Sequence, residues 1–350
     1  MARSVGYNVA IVGATGNAGN NTLKILAERN FPVGEILAVA SEKSDGKKVY
    51  FKNQDLAVQS FDSIDFSRMD LAIFCAGSDF SKNHAQKVSE AGCTIIDKSS
   101  YFRFNPKVPL VVPEVNEKIL SKGAPLGIVS TPNCVAVPLS MAIKALTDVA
   151  PIKRVVVSTY QAVSGAGRSA SDELYNKTKA VISSGTVVTD IFSKQIAFNT
   201  IPVIGNLDGA GVSDEEDKVA REICKILKSD MKVAVTCVRV PTFIGHGMSV
   251  ACEFSKEISP DDAYHAFDCF EGILVVDRRA DGIVATPLDA QGEDAVFVSR
   301  VRKDHTVKNG LMFWAVADNL RKGAALNSVQ IAERLINIDP KLKLFKYKTK

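Results

Sequence analysis

Short apolar runs alternate with amphipathic stretches through the first third of the chain. Tyr7–Val12 reads as a buried strand and residues 20–29 as a helix. Residues 35–40, 71–75 and 94–96 read as further strands, with a helical run at 83–91, and residues 125–130 add another strand. Strands alternating with helices predict a parallel, doubly wound α/β sheet. In such sheets ligands gather at the carboxyl ends of the strands. Gly13, Ser41, Gly77, Ser99 and Cys134 fall at those ends.

The texture changes after Cys134. Residues 139–146 read as a helix; strand-rich runs follow at 154–160, 233–240, 248–254 and 295–301. Polar, glycine-containing segments separate them. This pattern predicts a second, α+β domain with a largely antiparallel sheet. Residues 311–320 and 328–336 read as helices, the last expected to pack back on the first domain. The expected division is therefore 1–133, with a C-terminal helix of about 317–350 returning to it, and 134–316. Internal repeats and low-complexity tracts are absent from the sequence.

At 350 residues, two domains are the natural expectation. A hydrophobic fraction of 46%, a charged fraction of 23% and a net charge of +4 are ordinary for a soluble globular chain, with basic and acidic residues interspersed. Neither a nucleic-acid surface nor a membrane surface is indicated. Nothing in the sequence approaches the ~18 consecutive apolar residues of a membrane span, and no signal peptide is legible. The seven cysteines (75, 93, 134, 224, 237, 252 and 269) are odd in number and form no CxxC pair. Neither a disulfide framework nor a bound metal is expected, and a reduced, cytoplasmic setting is.

Gly13-x-x-Gly16-x-x-Gly19 follows a strand and opens a helix. Its glycines allow a tight turn and close backbone approach to a pyrophosphate at the helix N-terminus, although the spacing departs from GxGxxG. The end of the second strand, Ser41-Glu42-Lys43-Ser44, carries both charge types. A carboxylate there suits a ribose 2′-hydroxyl and a basic group a 2′-phosphate; a solvated polar loop is an equally ordinary reading. Cys134, in Thr131-Pro132-Asn133-Cys134, stands at a strand-to-helix junction, where the helix N-terminus favours a thiolate. A free cysteine is more often a buried apolar residue, and the other six are read that way. His246 lies between Gly245 and Gly247, a setting that suits an acid or base better than a core residue. Arg239, seven residues before it, offers a fork for a carboxylate or a structural ion pair. Gln161 ends a strand at a glycine-rich loop and could orient a carbonyl. Together these residues suggest that a thiol attacks a carbonyl while a nicotinamide handles the hydride.

With those residues assembled, the chain resembles the aspartate-semialdehyde dehydrogenases nearly end to end. The segments that carry the resemblance are GATGNAG, SSYFRFNPKVPLVVPEVN, TPNCVAVPL, YQAVSGAGR, CVRVPTFIGH and DNLRKGAA. It implies a Rossmann-type NADP-binding domain, a catalytic and dimerisation domain, and a homodimer. It also implies NADPH-dependent reductive dephosphorylation of L-aspartyl-4-phosphate to L-aspartate 4-semialdehyde, serving lysine, methionine, threonine and diaminopimelate synthesis. By this resemblance Cys134 is the acyl-thioester nucleophile, His246 the acid/base, and Gln161 positions the thiohemiacetal. Arg239 would hold the substrate α-carboxylate, with Glu215 near the amino group. Arg103 and Lys218 would hold phosphate, with Asn133 and Ser100 assisting. Gly13, Thr15, Gly16, Asn17, Ala18, Ser41, Lys43, Ser44, Ser164, Gly165 and Asn319 would line the cofactor. The family often has Arg where Lys43 stands and a small residue where Glu42 stands, which leaves the strength of NADP preference open. Alternation along the strand predicts that Glu42 faces solvent and Lys43 reaches the 2′-phosphate.

Two rival readings stand beside this one. N-acetyl-gamma-glutamyl-phosphate reductases share the build, but their nucleophile segment typically reads Pro-Gly-Cys-Tyr-Pro, against Pro132-Asn133-Cys134-Val135-Ala136 here. A non-catalytic dinucleotide sensor would leave Cys134, Gln161 and His246 without a reason to coexist.

Overall fold

A computed structural model describes residues 6–184 and 191–348. Residues 1–5, 185–190 and 349–350, which the expected domains include, lie outside the described residues. The chain forms two compact units, Met1–Pro132 with Ala324–Lys350, and Asn133–Gly323. The return to the first unit thus falls at Ala324, not near residue 317.

The first unit holds strands β1 (Tyr7–Val12), β2 (Val33–Ala40), β3 (Lys48–Phe51), β4 (Gln54–Ser60), β5 (Leu71–Phe74), β6 (Thr94–Asp97) and β7 (Ile128–Ser130), in the order β3-β4-β2-β1-β5-β6-β7. All neighbours are parallel except β3 and β4, a short hairpin at one edge. From Val9 to Val12 the β1 strand is apolar because both faces are covered. Val9 and Ile11 join one core cluster, Ala10 and Val12 the other. The first cluster takes Leu326, Val329, Ala332 and Leu335 from the helix Leu326–Ile338, spaced for one helical face. Arg29 clamps this helix by a two-pronged contact to Glu333 at 2.7 and 2.8 Å. The chain runs outward from β1 through β2, then returns to lay β5 on the opposite side of β1. This is the topological switch point, and the glycine turn follows β1 there.

The second unit holds β8 (Ile152–Gln161), β9 (Lys232–Arg239), β10 (His246–Phe254), β11 (Ile273–Val275), β12 (Asp277–Arg278), β13 (Ile283–Val284), β14 (Val296–Asp304) and β15 (Gly310–Ala317). Apart from the β12–β13 pair, they form one sheet in the order β11-β14-β15-β10-β8-β9. The three central pairings are antiparallel and the two outer ones parallel. One expectation is corrected here: residues 311–320 are not helical. Gly310–Ala317 is a strand between β10 and β14. Leu311-Met312-Phe313-Trp314-Ala315-Val316 is a short apolar run, and such a run satisfies a buried helix and a buried strand equally until its neighbours are known. The helix Asp214–Leu227, which strand periodicity did not reveal, opens with a Ser213/Glu216 capping box. It buries Val219, Ile223 and Ile226.

Candidate active site

The register of the second sheet assembles the site. At the end of β8, Gln161 pairs with Arg239 of parallel β9 on one side and with His246 of antiparallel β10 on the other. Residues directly opposite across strands share a face. Three residues spread over 86 positions of sequence thus stand in one row. All three are buried. The Arg239 guanidinium Nη1 donates to the Ala162 carbonyl at 2.7 Å. Burial lowers the Arg239 pKa, opposed by the charges of Cys134, Glu215 and Cys237.

The nucleophile turn meets this row through one carboxylate. Glu215 Oε1 accepts from Asn133 Nδ2 at 2.9 Å and from Gln161 Nε2 at 3.0 Å. Two turns along the same helix, wholly buried Glu222 accepts from the Asn133 backbone amide at 2.6 Å. Asn133 Oδ1 accepts from the Val135 amide at 2.8 Å. Both ends of the Asn133 side chain thus help to shape the turn that carries Cys134. Half-buried Cys134 immediately precedes the N-terminus of the Ala136–Thr147 helix. Helical spacing sets half-buried Lys218 on the face that carries Glu215 and Glu222. Gly323 supports the turn from behind: a Cβ there would lie 2.8 Å from the Cys134 carbonyl oxygen and 3.1 Å from its Cβ. It sits in a π-helical turn, Arg321–Ala325, whose entry Asp318 holds by accepting from the Leu320 and Arg321 amides.

His246 Nδ1 accepts from the Ala162 backbone amide at 3.0 Å, while buried Nε2 has no hydrogen-bond partner among the described residues. Burial, with Arg239 adding to it and the Gly245 backbone opposing, pushes the imidazole pKa down to about 3. Asn319 ties the adjoining loops together. Its Nδ2 donates to Ser164 Oγ at 3.0 Å, and its Oδ1 accepts from the Gly245 amide at 2.9 Å. Ser164 and Gly165 lie in the short turn after β8. The second unit thus brings together Cys134, Asn133, Gln161, Glu215, Arg239, His246, Ser164, Gly165 and Asn319.

The remaining candidates belong to the first unit. Gly13 has φ +85°, and a Cβ on it would lie 2.7 Å from the Cys75 carbonyl oxygen, so both its conformation and its space require glycine. Gly16 opens the Asn17–Glu28 helix with no side-chain cap, which leaves Thr15, Asn17 and Ala18 around an uncapped helix N-terminus. Lys98, which the sequence reading passed over, has a buried Nζ with no partner among the described residues. Burial lowers its pKa, and Cys75 is its charge neighbour. A glycine cradle at the switch point and a buried lysine Nζ without a partner among the described residues both fit an anionic dinucleotide. Ser41 precedes a 3-10 turn, Glu42–Ser44, in which Glu42 and Lys43 are both exposed. The alternation expected of these two residues does not apply, because the chain has left strand geometry. Buried Arg103 spends Nε on the Thr131 carbonyl at 3.1 Å and Nη2 on the Lys98 carbonyl at 2.9 Å. Ser100 Oγ lies 2.8 Å from Ser78 Oγ.

Fold and site together define an oxidoreductase of the semialdehyde dehydrogenase class. Residues 8–122 match the family described as semialdehyde dehydrogenase, NAD binding domain, and residues 143–322 match semialdehyde dehydrogenase, dimerisation domain. The chain belongs to the aspartate-semialdehyde dehydrogenase family. It is 48% identical to the aspartate-semialdehyde dehydrogenase of Rickettsia bellii over 330 residues, which cover 94% of this chain and 98% of the relative. Its fold matches the crystal structure of aspartate semialdehyde dehydrogenase II from Vibrio cholerae complexed with ASA. The TM-score is 0.93 at 40% identity, over 95% of this chain and 99% of that one. The Candida albicans enzyme crystallised with NADP matches with a TM-score of 0.74 at 25% identity, over 96% of this chain and 100% of that one.

Proposed function

We propose that this protein catalyses the NADPH-dependent reductive dephosphorylation of L-aspartyl-4-phosphate to L-aspartate 4-semialdehyde. It would act as a cytoplasmic homodimer in the pathway to lysine, methionine, threonine and diaminopimelate. The observation that carries this reading is the row Arg239–Gln161–His246, joined through Glu215 to the turn bearing Cys134. The family membership and the dimerisation-domain match support the substrate and the homodimer. Among the described residues no helix is long and apolar enough to cross a membrane.

Cys134 attacks the acyl carbon. The C–S bond forms, the bond from carbon to the phosphate oxygen breaks, and phosphate leaves with the electron pair. A covalent thioester splits one hard step into two easier ones. Arg103 and Lys218 hold the phosphate, with Ser100 and Asn133 assisting, and stabilise the departing charge. Arg239 takes the α-carboxylate as a fork, and Glu215 faces the amino group. Gln161, held by Glu215 and by the Thr159 hydroxyl at 3.0 Å, orients the tetrahedral centre on Cys134. His246 serves as the acid/base at that centre. When bound along Gly13, Thr15, Gly16, Asn17 and Ala18, with Ser41, Lys43, Ser44, Ser164, Gly165 and Asn319, the dinucleotide supplies the hydride that reduces the thioester.

In the reverse direction, NADPH absorbance should rise when protein, aspartate semialdehyde, NADP and inorganic phosphate are mixed, and should stay flat without phosphate. No phosphate-dependent signal would remove the assignment.

Cofactor choice is tested separately. NADP should be preferred to NAD, with Lys43 supplying the positive charge as a flexible point charge rather than a fork. Lys43→Ala should erase most of the NADP/NAD ratio in kcat/KM, whereas Glu42→Ala should leave it or raise it. A parent enzyme that prefers NAD would assign the ribose to Glu42.

A further inference from the structure

We propose that Asp318 is a positioning residue for the reaction. Its buried carboxylate folds the segment after β15 so that Asn319 is delivered to the turn after β8, and Gly323 to the turn that carries Cys134. This role presupposes the thioester chemistry proposed above, and Asp318 acts in it only through its neighbours.

Asp318 directly follows β15 and is 3% exposed. Its Oδ1 accepts from the Leu320 amide at 2.7 Å and the Arg321 amide at 3.0 Å, and its Oδ2 from the Gly292 amide at 2.8 Å. The Asp318 carbonyl accepts from the Gly323 amide at 3.1 Å, five residues on, the spacing of a π turn. One residue thus takes four main-chain amides, three of them on its carboxylate. An ionised carboxylate is costly to bury, and a helix start needs only a neutral Ser, Thr or Asn side chain. The carboxylate has a specific advantage here: both oxygens accept and neither donates, so amides can be held on two sides at once. It ties the start of the π turn to the loop at Gly292, and Arg321 Nε fastens that loop again through Asp294 at 2.8 Å.

Two residues are set by this fold. Asn319 stands between the anchored positions, and its carboxamide spans two loops through Ser164 Oγ at 3.0 Å and the Gly245 amide at 2.9 Å. Gly323, at the far end, packs on the thiol turn, where a Cβ on it would come within 3.1 Å of the Cys134 Cβ. In the proposed site the first lines the cofactor and the second backs the nucleophile. A displaced Asp318 carboxylate therefore disturbs both. Arg239, Gln161 and Glu215, which would hold the substrate, are carried by β9, β8 and the Asp214–Leu227 helix instead.

Asp318→Asn keeps the volume but exchanges one oxygen for an NH2 group, so either the Gly292 amide or the Leu320 and Arg321 amides meet a donor. In the folded full chain, kcat of the phosphate-dependent reverse reaction should fall by about 10²-fold, as for a nucleophile displaced by about 1 Å. The NADPH Kd, titrated by fluorescence without turnover, should rise roughly tenfold as the Asn319 contacts slacken. KM for aspartate semialdehyde should stay near the parental value. A merely structural role would lower thermal stability and leave kcat and Kd alone. Combined with Gly323→Ala, Asp318→Asn should lower kcat little further than the larger single loss, because both act on one turn. Parental kcat or parental Kd in Asp318→Asn, a KM raised as far as kcat falls, or a double-variant loss equal to the product of the single losses would each overturn the proposal. Should Asp318→Asn not fold, Asp318→Glu, which keeps the charge but displaces it by one methylene, should show the same two losses, and parental values there would overturn it as well. A parent without a phosphate-dependent rate would reject the proposed reaction instead, and the NADPH Kd would still decide on Asp318.

Discussion

Cys134→Ala should abolish turnover, a loss on the order of 10⁶-fold, as when other covalent nucleophiles are deleted, while the dinucleotide Kd stays unchanged. Chemistry and cofactor binding should separate because the glycine cradle belongs to the Met1–Pro132 unit and Cys134 is not among the residues that would line the cofactor. The labelling counterpart is equally sharp. Cys93, Cys237 and Cys252 are buried, and burial pushes their thiols up to about 12. Cys224 is raised for the same reason. A thiol-directed substrate analogue should modify Cys134 ahead of half-buried Cys75 and exposed Cys269, which lie outside the row that would bind the substrate, as read by peptide mass spectrometry. Measurable turnover by the Ala variant, or a label mainly on another cysteine, would remove Cys134 from the mechanism.

Gly323→Ala should lower kcat by about 10²-fold with the thiol still in place. The added methyl would lie 2.8 Å from the Cys134 carbonyl oxygen and 3.1 Å from its Cβ, so one backbone must move. The turn cannot give way freely: Glu222 grips the Asn133 amide at 2.6 Å, and Asn133 Oδ1 holds the Val135 amide. A nucleophile displaced by about 1 Å loses near-attack geometry, which costs on the order of 10²-fold. Overpacking should also destabilise by about 1–3 kcal/mol. Gly209→Ala is the control, because nothing lies within 4 Å of the added carbon. Parental kcat in Gly323→Ala, measured with folded protein, would show that the contact does not position the thiol.

Gly323 also marks where sequence reading stops. The segment DNLRKGAA was visible as a family motif, but nothing local says that its glycine touches a turn nearly 190 positions earlier. Glu222 was missed for the same reason: a carboxylate on an amphipathic helix is ordinarily a solvated one, and only packing reveals it buried against Asn133. The Asp214–Leu227 helix did leave a signal, since Ser213 and Glu216 form a capping box ahead of Val219 and Ile223. The β15 strand left an ambiguous one, because a short apolar run carries no period of its own.

What the chain determined alone was local. A buried strand, a glycine turn and a helix follow from residues 7–28, because apolar periodicity and the freedom of Gly13 act within a few bonds. The strand-to-helix setting of Cys134 was legible on the same terms. What tertiary structure decided was adjacency. Arg239, Gln161 and His246 could be picked out singly by residue type and setting, yet their row exists only because β8 pairs parallel with β9 and antiparallel with β10 in one register. A slip of one residue would send Gln161 to the other face. The contact between the Ala162 amide and His246 Nδ1 was likewise out of reach of the sequence, because register alone brings them together across 84 positions.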